Sequence, residues 1–155
     1  MHWRIPLLIV QVLVALSAAV SGVALALGER AGTLGERAGS LGIIPPLEWL
    51  EGTPFDSYLV PGLVLILVVG GTHALAFVLL LRRTTWALAA SAVAGFGMVI
   101  WVFVQMVLIP YSFLQAVYFG AGLLEIVLVL LMLDLFHPYP PALDPPSTVA
   151  RERIF

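Results

Sequence analysis

The chain of 155 residues contains no cysteine and no lysine, and only 10% of its residues are charged. The lack of cysteine excludes disulfides, thiol redox chemistry, iron–sulfur clusters and thiolate zinc sites. A soluble domain carries about 25% charged residues, so this chain cannot cover itself with a water-facing surface. Since 61% of its residues are hydrophobic and the mean hydropathy is +1.08, the sequence predicts an integral membrane protein.

Residues for catalysis and for binding charged partners are equally scarce. The seven arginines form no basic patch, which argues against nucleic acid as a partner. The three histidines have no metal-ligand spacing, and there is no phosphate-binding glycine loop or serine-hydrolase context. The sequence therefore predicts no cofactor, no metal and no catalytic residue, and it disfavours an enzyme.

Four apolar segments dominate the chain, and each is long enough to cross a hydrocarbon core of about 30 Å. They predict an all-α transmembrane four-helix bundle in one domain, residues 1–137, with helices at about 5–27, 58–81, 86–109 and 113–136. A long external loop, 28–57, joins the first two helices, and a proline-rich tail covers 138–155. The first apolar run is too long for a signal peptide, so we expect it to be retained.

The arginines next to the helix ends predict the orientation in the membrane. Arg4, Arg82 and Arg83 adjoin helix ends on one side, whereas the opposite side carries Arg30 and Arg37 among five acidic residues. By the positive-inside rule, both termini lie in the cytoplasm.

The external loop has two recognisable parts. A tandem repeat, GERAGTL followed by GERAGSL, occupies 28–41 and reads as a duplicated spacer. The following segment, 45–51, predicts a short interfacial helix with Trp49 as an aromatic anchor.

Small residues recur at four-residue spacing on two helices. Ala18, Gly22 and Ala26 form one such stripe, and Ala87, Ser91 and Gly95 form the other. Such stripes allow helices to approach closely in lipid. From the sequence, each stripe fits either packing inside the bundle or contact with a second protein.

The fourth helix has a polar face. Tyr111, Gln115, Tyr118, Gly122 and Glu125 recur at steps of three and four residues. Because an ionisable group in hydrocarbon costs about 2.5–3.5 kcal/mol on insertion scales, we expect this face to turn inward.

One polar residue from each helix falls at a similar depth. These residues predict a buried polar cluster centred on a pair between His73 and Glu125, with Gln11 and Ser91 as the other members. Two roles remain open: the cluster either fixes the helix register through hydrogen bonds or forms a proton- or ligand-binding site.

A second polar group lies nearer the outer side. It comprises Gln105, Gln115, Tyr118, Tyr58 and Trp101, with Ser21 and Trp49 at comparable levels. These side chains predict an outward-facing pocket suited to a lipid head group or a quinone. The alternative is an ordinary aromatic belt at the membrane interface.

Three segments carry a family resemblance. The stretch LEWLEGTPFDSYLVPGL at 47–63, Trp101 with Gln105, and LQAVYFGAGL at 114–123 resemble a family of small uncharacterised bacterial membrane proteins with four spans. The resemblance implies this fold and a bacterial inner membrane, and it implies no activity.

The function expected first is non-enzymatic. An accessory or assembly subunit, or a small membrane binding module, would have the lipid bilayer and either other membrane chains or a second copy as partners. The alternatives are a small proton-coupled transporter that acts as a dimer through Glu125, and a membrane redox protein linked to quinone or haem.

Overall fold

Four long apolar helices form the body of the molecule. The computed structural model describes residues 3–28, 32–40 and 44–134, and over these residues the chain forms helices, turns and no strand. The long helices are α1 (Arg4–Gly28), α3 (Leu59–Leu81), α4 (Ala87–Leu108) and α5 (Phe113–Met132). The shorter α2 (Thr33–Ser40) lies in the connection between α1 and α3. All four long helices are long and apolar enough to span a membrane, so the predicted all-α transmembrane four-helix bundle is confirmed.

The four long helices pack around a common axis, and each contacts two neighbours. Helix α1 packs against α3 and α5, and α4 packs against the same two helices from the other side. Consequently α1 and α4 face each other across one diagonal, and α3 and α5 across the other. We call the end of the bundle that contains α2 the loop end, and the end that contains Arg4 and Arg83 the terminal end.

Outward-facing side chains are apolar over the height of the bundle. Ile5, Val20, Leu67 and Val107 are between 65% and 71% exposed. In water such a surface would be costly, whereas lipid tails solvate it without loss. The exposed surface therefore agrees with the four spans.

Both small-residue stripes are used inside the bundle. Gly22 on α1 lies against Gly62 on α3, where a Cβ atom on either glycine would come within 2.7 Å of the other's backbone oxygen. Gly95 on α4 meets Gly122 on α5, where the corresponding distances are 3.3 and 3.2 Å. These two contacts settle the choice that the sequence leaves open, since the stripes bring helices of one chain together.

The connection between α1 and α3 contains short helical segments. Besides α2, it contains a short 3-10 helix at Leu47–Leu50, where the sequence predicts a longer interfacial helix. The Tyr58 hydroxyl donates a hydrogen bond to the Pro46 carbonyl at 2.8 Å and ties this segment to the start of α3. Residues 29–31 and 41–43 of the connection, and the predicted tail 138–155, lie outside the described residues.

The end of α5 differs from the sequence prediction. The helix ends at Met132 rather than at residue 136, because Leu133 and Asp134 form a turn in which Asp134 has a left-handed φ of 59°. Residues 135 and 136 lie outside the described part of the chain.

Helix α3 contains a feature that the sequence does not predict. Its middle section, Leu65–Gly70, is a π-helix between two α-helical parts, Leu59–Val64 and Gly71–Leu81. Short π-helical sections are rare and occur frequently at functional sites, because the extra residue per turn displaces backbone carbonyls from the regular ladder. Two carbonyls of this section, those of Val68 and Val69, form hydrogen bonds with the side chains of Thr72 and His73.

Candidate functional site

The predicted polar cluster assembles at the centre of the bundle. Gln11 from α1, His73 from α3, Ser91 from α4 and Glu125 from α5 are each 0% exposed. The helical periodicity turns one polar residue of each helix toward the common axis, so the four side chains meet although they are up to 114 positions apart in the chain.

Polar contacts in this cluster cross both diagonals of the bundle. His73 Nε2 lies 2.9 Å from Glu125 Oε2 and joins α3 to α5. Gln11 Nε2 donates to Ser91 Oγ at 2.7 Å and joins α1 to α4. Gln11 Nε2 also donates to Glu125 Oε1 at 2.9 Å, so the two diagonals are linked to each other.

Apolar layers enclose the cluster above and below. On the side of the terminal end, it is covered by the cluster of Leu7, Leu80, Ala87, Leu128 and Val129. On the side of the loop end, it is covered by Val14, Ala18, Val69, Met98 and Val102. The polar side chains are therefore shielded from both ends of the bundle, which strengthens every electrostatic interaction among them.

The hydroxyl of Ser91 determines the direction of the Gln11 hydrogen bonds. Ser91 Oγ donates its one hydrogen to the Ala87 carbonyl at 2.8 Å, so it accepts from the Gln11 amide. The two amide hydrogens of Gln11 then serve Ser91 and Glu125. Its carbonyl Oε1 is buried and has no hydrogen-bond partner among the described residues.

The tautomer of His73 follows from its backbone contact. His73 Nδ1 lies 2.7 Å from the Val69 carbonyl, which only accepts hydrogen bonds, so Nδ1 carries a hydrogen. Nε2 and Glu125 Oε2 then need a proton between them, because two lone pairs would otherwise face each other at 2.9 Å. Their approach is close but not linear, and neither atom has another hydrogen-bond partner in the part of the chain that the structure describes.

This proton count makes the pair electrically neutral. The shared proton resides either on the imidazole, which gives an ion pair, or on the carboxyl, which gives two uncharged groups. In both states the net charge in the hydrocarbon layer is zero, which avoids the cost of an isolated ion at the bundle centre. The geometry thus requires one hydrogen between two titratable side chains that are both fully buried.

A cavity of about 540 Å³ opens at the loop end. The side chains of the predicted outer group all line it, namely Gln105, Gln115, Tyr118, Tyr58, Trp101, Ser21 and Trp49. Its volume is within the range of pockets that hold small organic ligands, about 300–1,000 Å³. Trp49 therefore contributes to a cavity wall rather than only to a membrane-interface belt.

The structure contradicts the prediction for one residue of the polar face. Gln115, Gly122 and Glu125 are buried, whereas Tyr111 is 70% exposed. The reason is that α5 begins at Phe113, after the N-cap Ser112, so Tyr111 does not belong to the helix and does not follow its periodicity.

Two N–H donors at the cavity lack partners. Gln115 is 3% exposed, and its Oε1 accepts a hydrogen bond from the Ser112 backbone N–H at 3.0 Å, as in a capping box. Its Nε2 has no partner among the described residues, and neither has the indole Nε1 of Trp101. A buried donor without an acceptor costs about 1–3 kcal/mol, so these two groups favour an acceptor in the cavity.

The cavity lining is otherwise uncharged. None of the described residues that line it is Asp, Glu, Lys, Arg or His. Its floor is formed by Val69, Met98 and Val102, the same side chains that cover the polar cluster. These apolar side chains thus lie between the cavity and the His73–Glu125 pair.

The sequence predicted seven of the residues that line the cavity, but it did not indicate which of their groups lack partners. The lack of a partner for the Trp101 and Gln115 donors depends on tertiary contacts, and the role of the Val69 carbonyl depends on the π-helical section of α3. No residue type or spacing in the sequence signals either of them. Among residues 3–28, 32–40 and 44–134, no three metal-ligating side chains come together.

Comparisons with known proteins give no further information about this site. No known protein family, curated protein or solved structure matches the chain.

Proposed function

We propose that this chain is a small membrane binding module whose cavity takes a neutral amphipathic molecule, such as a lipid with carbonyl or hydroxyl oxygens in its head. The observation that carries the proposal is the pair of unpartnered donors, Trp101 Nε1 and Gln115 Nε2, in a cavity without a charged lining residue among those described.

The polar part of the ligand is inferred from the donors. An oxygen acceptor on the ligand would satisfy an N–H group that it reaches, and a hydrogen bond of this kind contributes about 0.5–1.5 kcal/mol. A carboxylate or phosphate head would be buried without a counter-charge from the described lining, which is costly. The lining therefore favours an uncharged head.

The apolar part of the ligand is inferred from the walls. Most of the lining side chains are aliphatic or aromatic, among them Leu25, Val64, Leu65, Met98 and Leu108. Such walls favour an acyl or isoprenoid chain, because burying apolar surface stabilises the complex by about 25 cal/mol per Å².

The two donors can be removed one at a time by substitution. Trp101→Phe removes the indole N–H and keeps an aromatic ring, and Gln115→Glu keeps an acceptor for the Ser112 N–H while it removes the free donor. We expect each change to weaken binding of radiolabelled monoolein, a neutral monoacylglycerol, by roughly 2–10-fold because one hydrogen bond is lost. Equilibrium binding in detergent micelles measures the effect.

Matched controls separate the donors from general effects. Trp86 is 73% exposed and does not line the cavity, so Trp86→Phe should leave monoolein binding unchanged. Oleate, with the same acyl chain and an anionic head, should bind more weakly than monoolein. Equal binding of both lipids, or equal binding by the wild type and both donor variants, would contradict the proposal.

For the location of the chain we propose the bacterial inner membrane, with both termini in the cytoplasm. The support is the arginine distribution, since Arg4, Arg82 and Arg83 cluster at the terminal end.

Since the chain has no cysteine, single-cysteine variants report topology directly. We expect a membrane-impermeant maleimide, added to whole cells, to label Thr53→Cys at the loop end and to spare Thr84→Cys at the terminal end. The reverse labelling pattern would invert the orientation.

Association with other membrane chains, or as a homodimer, is part of the same proposal. The apolar outer faces of α1, α4 and α5 leave room for such contacts within the bilayer. Native mass spectrometry on gently extracted protein would distinguish a ligand-bearing monomer or dimer from a larger assembly with unrelated chains, which would support the accessory-subunit role.

A further inference from the structure

Val69 lines the cavity and also contacts the buried polar cluster. Its side chain is 2% exposed and forms part of the cavity floor. Its backbone carbonyl accepts the hydrogen bond from His73 Nδ1 at 2.7 Å. The residue also lies in the π-helical section of α3, where the backbone departs from the regular α-helical ladder.

We infer that ligand binding in the cavity is coupled, through Val69, to the proton held by the His73–Glu125 pair. This inference rests on the proposed binding function and specifies its regulation. The ligand class is unchanged, a neutral amphipathic lipid, and the second ligand is one proton exchanged with bulk solvent.

The coupling follows from counting hydrogens on the imidazole. With the shared proton present, one proton lies at Nδ1 toward the Val69 carbonyl and one lies between Nε2 and Glu125 Oε2. When the shared proton leaves for bulk water, a neutral imidazole and a carboxylate remain. The single imidazole hydrogen can then serve the carboxylate or the Val69 carbonyl, but not both.

Each arrangement of the deprotonated pair disturbs a contact. If the hydrogen stays at Nδ1, the bare Nε2 faces the carboxylate at 2.9 Å. If it moves to Nε2, the bare Nδ1 faces the Val69 carbonyl at 2.7 Å. The carboxylate is the stronger acceptor, so we expect the hydrogen at Nε2 and a shift of Val69 away from His73. Since Val69 forms the cavity floor, the shape of the cavity changes with it.

The surroundings of the pair leave few other groups to titrate. The neighbouring side chains from α1 and α4 are Gln11 and Ser91, which are uncharged. The long helices contribute only two further titratable or charged groups, Arg4 at the terminal end of α1 and Tyr118 of α5, which lines the cavity. A proton bound or released on ligand binding is therefore assigned to His73 and Glu125.

The test measures the affinity for radiolabelled monoolein as a function of pH. Monoolein has no titratable group, so any pH dependence comes from the protein. We expect the affinity of the wild type to be highest where the pair is protonated and to fall by up to ten-fold per pH unit as the proton is lost, because one proton is linked to binding.

Glu125→Gln provides the matched variant. The glutamine amide donates a permanent N–H to His73 Nε2 and still accepts from Gln11, so it imitates the protonated pair. We expect this variant to bind monoolein as the wild type does at low pH, with an affinity that is independent of pH.

A second measurement covers the case in which Glu125→Gln does not fold. The ¹⁵N resonances of the His73 ring, recorded with His2 and His137 replaced by glutamine, report its proton occupancy. By reciprocity, adding monoolein should change the pH at which these resonances shift.

The outcomes separate this inference from the binding function. If monoolein binds with the same affinity at every pH, or if Glu125→Gln retains the full pH dependence, the coupling is overturned and the binding function stands. If neither monoolein nor another neutral lipid binds, the binding function fails and the coupling fails with it. If monoolein leaves the pH dependence of the His73 resonances unchanged, the coupling is likewise overturned.

Discussion

Replacing His73 by leucine should lower the free energy of unfolding of the bundle by about 3 kcal/mol. The substitution removes the imidazole from Glu125 Oε2, which has no other partner among the described residues, and Glu125 is 0% exposed. No water can replace the imidazole there, because apolar side chains cover the cluster on both sides. The carboxyl group must then stay protonated or carry an uncompensated charge in hydrocarbon, and both are costly.

The double variant His73→Leu/Glu125→Leu is the decisive companion. It removes both members of the pair, so no ionisable group is left without its partner, and its stability should lie close to that of the wild type. Titration with SDS in mixed micelles, followed by circular dichroism, measures both variants. A loss of only about 0.6 kcal/mol in the single variant, the average for hydrogen bonds between membrane helices, would show that the pair only fixes helix register.

The second large effect is expected at the contact between α1 and α3. Gly62→Ala would place a Cβ atom 2.6 Å from the Gly22 carbonyl oxygen and 2.7 Å from the Ala26 nitrogen. Both neighbours are backbone atoms, which cannot move unless the whole helix moves. We expect the two helices to separate and the free energy of unfolding to fall by about 1–3 kcal/mol, measured by the same SDS titration.

Gly120→Ala is the control for this prediction. Gly120 lies in a long helix as Gly62 does, but a Cβ atom at Gly120 meets nothing within 4 Å. Its replacement should therefore leave stability unchanged, or raise it by up to about 1 kcal/mol through helix propensity. If both alanine variants lose the same stability, close packing of the Gly22–Gly62 contact is not the cause.

The two effects have one physical origin. Lipid is as apolar as the side chains that face it, so the hydrophobic effect does not hold membrane helices together. Close contact between small residues and buried polar contacts do so instead. In this bundle the Gly22–Gly62 contact joins neighbouring helices, whereas the Gln11–Ser91 hydrogen bond and the His73–Glu125 contact cross the diagonals.

Helix boundaries show where sequence reasoning reaches its limit. The four apolar runs predict the spans closely because a segment that crosses hydrocarbon must satisfy its backbone internally and be long enough. The predicted end at residue 136 and the inward position of Tyr111 were wrong. Both errors lie where local turn geometry at Asp134 and capping at Ser112 end the helical periodicity.

The sequence by itself determined the class of the protein, the number of spans and the four residues of the polar cluster, because hydropathy and helical period act along the chain. Only the tertiary structure decided which helices share each small-residue contact, since a stripe on one helix does not name its partner. It alone placed the Val69 carbonyl beside His73 and left the donors of Trp101 and Gln115 without partners. The first fact depends on the local backbone geometry of α3, and the second depends on contacts between different helices. Neither follows from the residue pattern of a single helix.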